Sequence, residues 1–186
     1  MLAIALLSAA WHPSCRTGRA PTSPCASCRA VPLRLSAAHH EEWMLHALRL
    51  SERGRLSTAP NPWVGCVIVG ADGAVLAEGF HKQKGGPHAE AAALADAREK
   101  SVPSAVLALA TAYVTLEPCH MGPGKSTPAC DEALVGAGIR SVHIALLDPD
   151  PAFGGGAAFL RSQGVEVTVG AAAEAVRASL VRVRVP

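Results

Sequence analysis

From Glu41 to Gly170 the chain alternates between short β-branched runs and segments with helical spacing, and that alternation leaves few folds open. "EEWMLHALRLSERG" carries helical spacing at Met44, Ala47, Leu48 and Ser51 and stops at Gly54. "WVGCVIVG" and "VLAEGF" read as strands on either side of "ADGA", whose Asp-Gly pair marks a hairpin turn. Pro87 opens a helix, "HAEAAALADAREK"; "TAYVTLEP" is a third strand; "PACDEALVGAG" is a helix with Pro near its start and Gly at its end. "SVHIALLD" is a fourth strand, "GGGAAFLRSQG" a short helix closed by Gly164, and "VEVTVG" a fifth strand. A hairpin followed by strand-helix alternation predicts a layered α/β domain whose later strands run parallel.

With 186 residues and 49% hydrophobic content, one ordinary domain with a tail is the expectation. Arg16, Arg19, Arg29 and Arg34 are the only formal charges before Glu41, so the part from residue 39 onward carries 13 basic and 15 acidic side chains. That balance gives no electrostatic footprint for a nucleic-acid backbone, and 4% aromatic content supplies few stacking platforms. Nucleic acid is not an expected partner.

The first 38 residues differ in kind: an apolar start, "LAIALLSAA", precedes an Arg-, Ser- and Pro-rich stretch without a single acid. The apolar run is too short to span a bilayer, which needs about 20 residues. The pattern is similar to the two-part presequence of proteins sent to a plastid through the secretory membrane, with a plain secretory signal, a transit peptide, or a disordered extension or mispredicted start on a cytoplasmic protein as the alternatives. Cys15, Cys25 and Cys28 fall in this segment, where Cys25-Ala-Ser-Cys28 has no strand or helix to hold it. Residues 1–38 are therefore read as a targeting or disordered segment, 39–170 as the folded domain and 171–186 as a short tail.

The chemistry concentrates at two strand-to-helix junctions. In "TLEPCHMGPGKSTPAC", Cys119 follows the third strand and Cys130 sits near the start of the next helix, where the helix dipole favours the thiolate that a metal needs. His88 in "GPHAEAAA" lies at another helix start directly after a strand, so neighbouring units can bring all three to one edge of the sheet. Two thiolates and an imidazole leave the fourth tetrahedral position of Zn2+ open, as in catalytic sites. Glu90 can then relay protons without binding metal. His-x-Glu followed by Pro-Cys and a second Cys is the layout of zinc deaminases, in which activated water attacks an amidine carbon. Ten residues separate the cysteines here, where two are usual in that layout. A Cys119–Cys130 disulfide is a competing reading that leaves His88-Ala-Glu90 unexplained. Cys66, inside the first strand, reads as core.

Together with the long cysteine spacing, "APNPWVGCVIV" (59–69), "EGFHKQKGGPHAE" (78–90), Thr-Pro-Ala-Cys ending at Cys130 and "DPDPAFGGG" (148–156) give the chain a specific likeness. From about Glu41 to Gly170 it resembles the deaminase half of the riboflavin-biosynthesis deaminase-reductases, the diaminohydroxyphosphoribosylaminopyrimidine deaminases of the cytidine deaminase-like superfamily. The resemblance implies a three-layer α-β-α fold around a mixed five-stranded sheet, with His88, Cys119 and Cys130 on zinc and Glu90 as proton shuttle. It places Asn61, His81, His120 and Lys125 at substrate, with Lys125 as the loop cation that meets the ribose phosphate. A Lys in a Gly/Pro loop before a helix start suits an anion on physical grounds as well.

The chain departs from the family pattern in three places. Its cysteine loop is two residues longer, which puts His120 directly after Cys119 where the family carries its histidine one position later. Asp150 stands where Asn is usual, and the match fades after Gly170. The implied reaction is hydrolytic deamination of 2,5-diamino-6-(5-phosphoribosylamino)pyrimidin-4-one to the 5-amino-uracil ribotide, with a separate reductase acting next. The resemblance also suggests a homo-oligomer. A cytidine or deoxycytidylate deaminase, another nucleobase deaminase, or a non-catalytic zinc module are the alternatives.

Overall fold

The structure, a computed structural model, describes residues 36–120, 129–150 and 153–181. The elements run α1 (Ala37–Ser51), a 3-10 turn (Glu52–Gly54), β1 (Gly65–Val69), β2 (Val75–Phe80), α2 (Ala89–Glu99), α3 (Ser104–Leu107), β3 (Thr111–Leu116), α4 (Cys130–Gly136), β4 (Ser141–Leu146), α5 (Gly156–Ser162), β5 (Glu166–Val169) and α6 (Ala173–Val181). The strands form one mixed sheet in the order β2-β1-β3-β4-β5. β1 is antiparallel to both β2 and β3, while β3, β4 and β5 run parallel. This is the five-stranded mixed sheet that the sequence led us to expect.

Alternation along the central strands builds the two outer layers. Cys66, Ile68, Ala112, Val114, Val142 and Ile144 face a core shared with Ala89 and Ala93 of α2, Leu134 of α4 and Leu160 of α5. Val67, Val69, Tyr113 and Ala145 face the other way, onto Met44, Ala47 and Leu50 of α1 and Val176 of α6. The all-buried pattern of β1 follows from helices on both its faces.

Three features depart from the sequence reading. Helix α1 begins at Ala37, inside the stretch read as leader, because Ser36 caps it: Ser36 Oγ lies 2.7 Å from His39 Nδ1, and the His39 N–H donates to the Ser36 carbonyl at 2.9 Å. The stretch from 171 onward, read as a tail, contains α6, held by buried Val176 and by a Trp63 Nε1–H bond to Ser179 Oγ at 3.3 Å. The single-turn α3 was not anticipated. No helix among the described residues is long and apolar enough to cross a membrane. Cys15, Cys25, Cys28 and the proposed presequence lie outside the described residues, as does Lys125.

Candidate active site

The C-terminal ends of β3 and β4 and the start of α2 meet at one edge of the sheet, and the chemistry-bearing residues gather there. His88 is the N-cap of α2 and Glu90 lies in its first turn. Cys119 follows β3 by three residues, and Cys130 is the first residue of α4. The seating of α2 depends on Gly79 in β2, where a Cβ would come within 2.3 Å of both the Ala89 carbonyl oxygen and the Ala93 nitrogen.

His88 Nδ1 lies 3.5 Å from Cys119 Sγ and 3.4 Å from Cys130 Sγ, and all three atoms fall within 4.8 Å of one another. Zinc with bonds of about 2.3 Å to sulfur and about 2.0 Å to nitrogen holds such donors about 3.5 Å apart at tetrahedral angles, so the donor set fits that ion in kind and spacing. Cys66, Cys119 and Cys130 are free thiols, which removes the disulfide reading. A hydrogen bond between the Cys119 and Cys130 side chains holds Cys119 well below the ordinary thiol range, and the same bond, together with burial, pushes Cys130 up. Cys66 lies in the core, where burial pushes its thiol up as well.

Glu90 is buried, 3% exposed, and shares a hydrogen bond with the Cys130 side chain. Burial pushes its carboxyl up to about 7, in the range where a group both takes and gives a proton. A cavity of about 150 Å³ opens in front of it, lined by Asn61, His81, His88, Glu90, Cys119 and Asp148 among others.

His81 is 3% exposed, and its ring meets that of His88 edge-on at 5.5 Å. Its Nδ1–H donates to the Pro87 carbonyl at 2.9 Å, which in the neutral ring leaves Nε2 as an acceptor. Nε2 is buried and has no hydrogen-bond partner among the described residues.

Glu117, Asp148 and Phe153 also line the cavity and were not singled out from the sequence. Glu117 Oε2 accepts the Asp148 N–H at 3.0 Å, and its Oε1 accepts the Gly155 and Ala157 N–H groups at 3.1 and 2.9 Å. The "TLEP" and "DPDPAFGGG" stretches flagged both partners, but nothing local says that one binds the other. His120, expected at substrate, has its Nδ1 2.6 Å from Asp131 Oδ2 and is not among the described residues that line the cavity.

Residues 37–146 match the family described as cytidine and deoxycytidylate deaminase zinc-binding region. The chain belongs to that deaminase family. Within it, the diaminohydroxyphosphoribosylamino-pyrimidine deaminase of Buchnera aphidicola is 45% identical over 130 residues, 69% of this chain and 82% of its own length. The chloroplastic riboflavin biosynthesis protein PYRD of Arabidopsis thaliana is 46% identical over 129 residues, 68% of this chain and 28% of its own. The solved structure of RibD from Acinetobacter baumannii superposes with a TM-score of 0.69 at 42% identity, covering 78% of this chain and 39% of that one. The chain spans 33% to 38% of the length of several bacterial riboflavin biosynthesis RibD proteins that it matches. The fold of this deaminase is accordingly the cytidine deaminase-like one expected from its motifs.

Proposed function

We propose that this deaminase hydrolyses the amino-bearing pyrimidine carbon of 2,5-diamino-6-(5-phosphoribosylamino)pyrimidin-4-one: water adds, ammonia leaves, and the 5-amino-uracil ribotide remains. The observation that carries this reading is the buried Glu90 carboxyl beside the His88, Cys119 and Cys130 donors, at the inner end of a cavity. The names of the relatives at 43% to 46% identity support the choice of substrate.

His88, Cys119 and Cys130 would hold zinc, which would supply the Lewis acidity that makes water nucleophilic at neutral pH. Glu90 takes a proton from the attacking water, delivers it to the ring nitrogen and then carries the hydroxyl proton of the adduct to the departing amino group. His81 Nε2 accepts a hydrogen bond from the base, and Asn61 at the rim fixes its orientation. Lys125, outside the described residues, grips the ribose phosphate, and a site built to meet that anion disfavours free bases that lack it. A plastid location is supported by the acid-free, Arg-bearing first 38 residues and by the chloroplastic name of the Arabidopsis relative.

The test is ammonia release by the zinc-loaded protein from the diaminopyrimidine ribotide, set against cytidine, deoxycytidylate and guanine. Release from the ribotide alone is expected. Release from another base assigns a different substrate, and silence on all four with zinc bound makes the chain a non-catalytic zinc module.

A further inference from the structure

The residue after each ligand cysteine is turned toward the other arm. His120 Nδ1 meets Asp131 Oδ2 at 2.6 Å, and Asp131 is fully buried, at 0% exposure. Its second oxygen, Oδ1, accepts the Glu132 N–H at 2.7 Å. The Asp131 N–H points at the Cys119 carbonyl, 3.5 Å away, so main chain and side chain link the two arms at the same place. On the other side the His120 N–H donates to the Phe153 carbonyl at 3.3 Å, and the His120 ring rests against Phe159 of α5 with 5.0 Å between centroids.

We propose that His120 and Asp131 are positioning residues, a cross-brace that keeps the Cys119 and Cys130 sulfurs at ligating separation, and that this chain uses His120 to retain metal and not to contact substrate. The inference rests on the reading of His88, Cys119 and Cys130 as zinc ligands.

The two arms are joined by the ten residues between Cys119 and Cys130, and a longer loop costs more entropy to close. A metal can close such a loop only while it is bound. A contact between protein side chains one residue beyond each ligand holds the arms together with or without it. The carboxylate of Asp131 is costly to bury without partners, and here it has an imidazole on one oxygen and a backbone N–H on the other. The start of α5 closes over the same spot: at Gly156 a Cβ would fall 1.9 Å from the Pro118 carbonyl oxygen and 3.7 Å from the Asp131 Cβ. The brace is therefore backed by packing from a third segment. Contacts one shell outside the ligands change metal affinity by about 10- to 100-fold in other proteins.

The experiment follows zinc itself. The full chain is purified with zinc as wild type, His120→Gln, Asp131→Asn and the double variant. Zinc content and the rate of zinc transfer to a chromogenic chelator are measured at neutral pH, with KM for the ribotide as a second readout. Wild type is expected to hold one zinc, each single variant to release it at least about tenfold faster, and the double variant to release it no faster than the quicker single. KM is expected to stay unchanged in His120→Gln. Release at the wild-type rate in both single variants overturns the inference. So does a raised KM in His120→Gln with zinc release unaltered, which makes His120 a substrate contact. A wild-type protein that binds no zinc overturns the underlying reading instead, and the brace with it. Should Asp131→Asn fail to fold, His120→Gln decides alone, because the His120 side chain is 37% exposed and tolerates replacement.

Discussion

Glu117 and Ala157 stand 40 residues apart in the chain, and Glu117 Oε1 accepts the Ala157 N–H at 2.9 Å. With the Asp148 and Gly155 N–H groups on the same carboxylate, the end of β3 is tied to the loop that walls the cavity. Replacing Glu117 by Ala leaves three backbone donors without their acceptor. We expect a loss of at least about 2 kcal/mol in urea unfolding, with Glu117→Gln recovering part of it. Unchanged stability in Glu117→Ala would show that water replaces the carboxylate without cost.

Glu90 is assigned to proton transfer and not to the metal. Glu90→Ala is expected to keep its full complement of zinc while kcat falls by about 100- to 10,000-fold. Metal analysis and ammonia release on the same preparation check both halves. Loss of zinc together with activity would make Glu90 part of the metal's support.

The close approach of α2 to β2 predicts a severe effect from a small change. Gly79→Ala inserts a methyl 2.3 Å from the Ala89 oxygen and the Ala93 nitrogen, so α2 must move away from the sheet. His88 and Glu90 ride on that helix. We expect destabilisation of about 2 to 3 kcal/mol from overpacking, accompanied by weaker zinc binding. A variant with lower stability and intact zinc affinity would show that the first turn of α2 moves independently of its body.

On the opposite face, His143 is 8% exposed and stacks against both His40, at 4.0 Å, and Tyr113, at 5.1 Å. Its Nδ1 has no hydrogen-bond partner among the described residues. Burial, then the neighbouring His40, lowers its pKa from the ordinary 6.5 to about 4. Because the folded value is the lower one, the unfolded chain takes up the proton first as the pH falls. The contribution of this site to stability is complete above about pH 6.5 and is lost as the pH drops to about 4. His143→Phe should flatten that part of the pH profile of the urea midpoint. A profile identical to wild type would mean that carboxylates alone set the acid limb.

Some of this molecule is legible in its sequence, and the reason is local. His88, Cys119 and Cys130 adjoin the ends of elements whose hydrophobic period is plain, so the topology alone brings them to one edge. Glu117 and Asp131 were not legible as structural groups: His120 lies 11 residues from Asp131, and the amides held by Glu117 lie 31 to 40 residues from it and leave no mark on residue type. Helix α6 escaped notice because, among its described side chains, only Val176 is fully buried, too little to set up a period. His120 is a related case: its position in the motif points at substrate, whereas its imidazole meets a carboxylate that lies beyond the loop between the cysteines.

The strand directions divide the connections into two sets. The connection at residues 81–88 and the described starts of those after β3 and β4, at 117–120 and 147–150, leave the sheet at the edge that holds His88, Cys119 and the cavity. Those at 70–74, 100–110, 137–140 and 163–165 turn at the far edge, with Ala71, Asp72, Lys100, Ser101, Arg140, Gln163 and Gly164 exposed. Sequence drift, epitope tags and grafted domains can accumulate at that far rim without touching the chemistry. The fold thus separates a workshop side from a side open to remodelling, and a circular permutant reopened between Gly70 and Ala74 would carry its reaction centre unbroken.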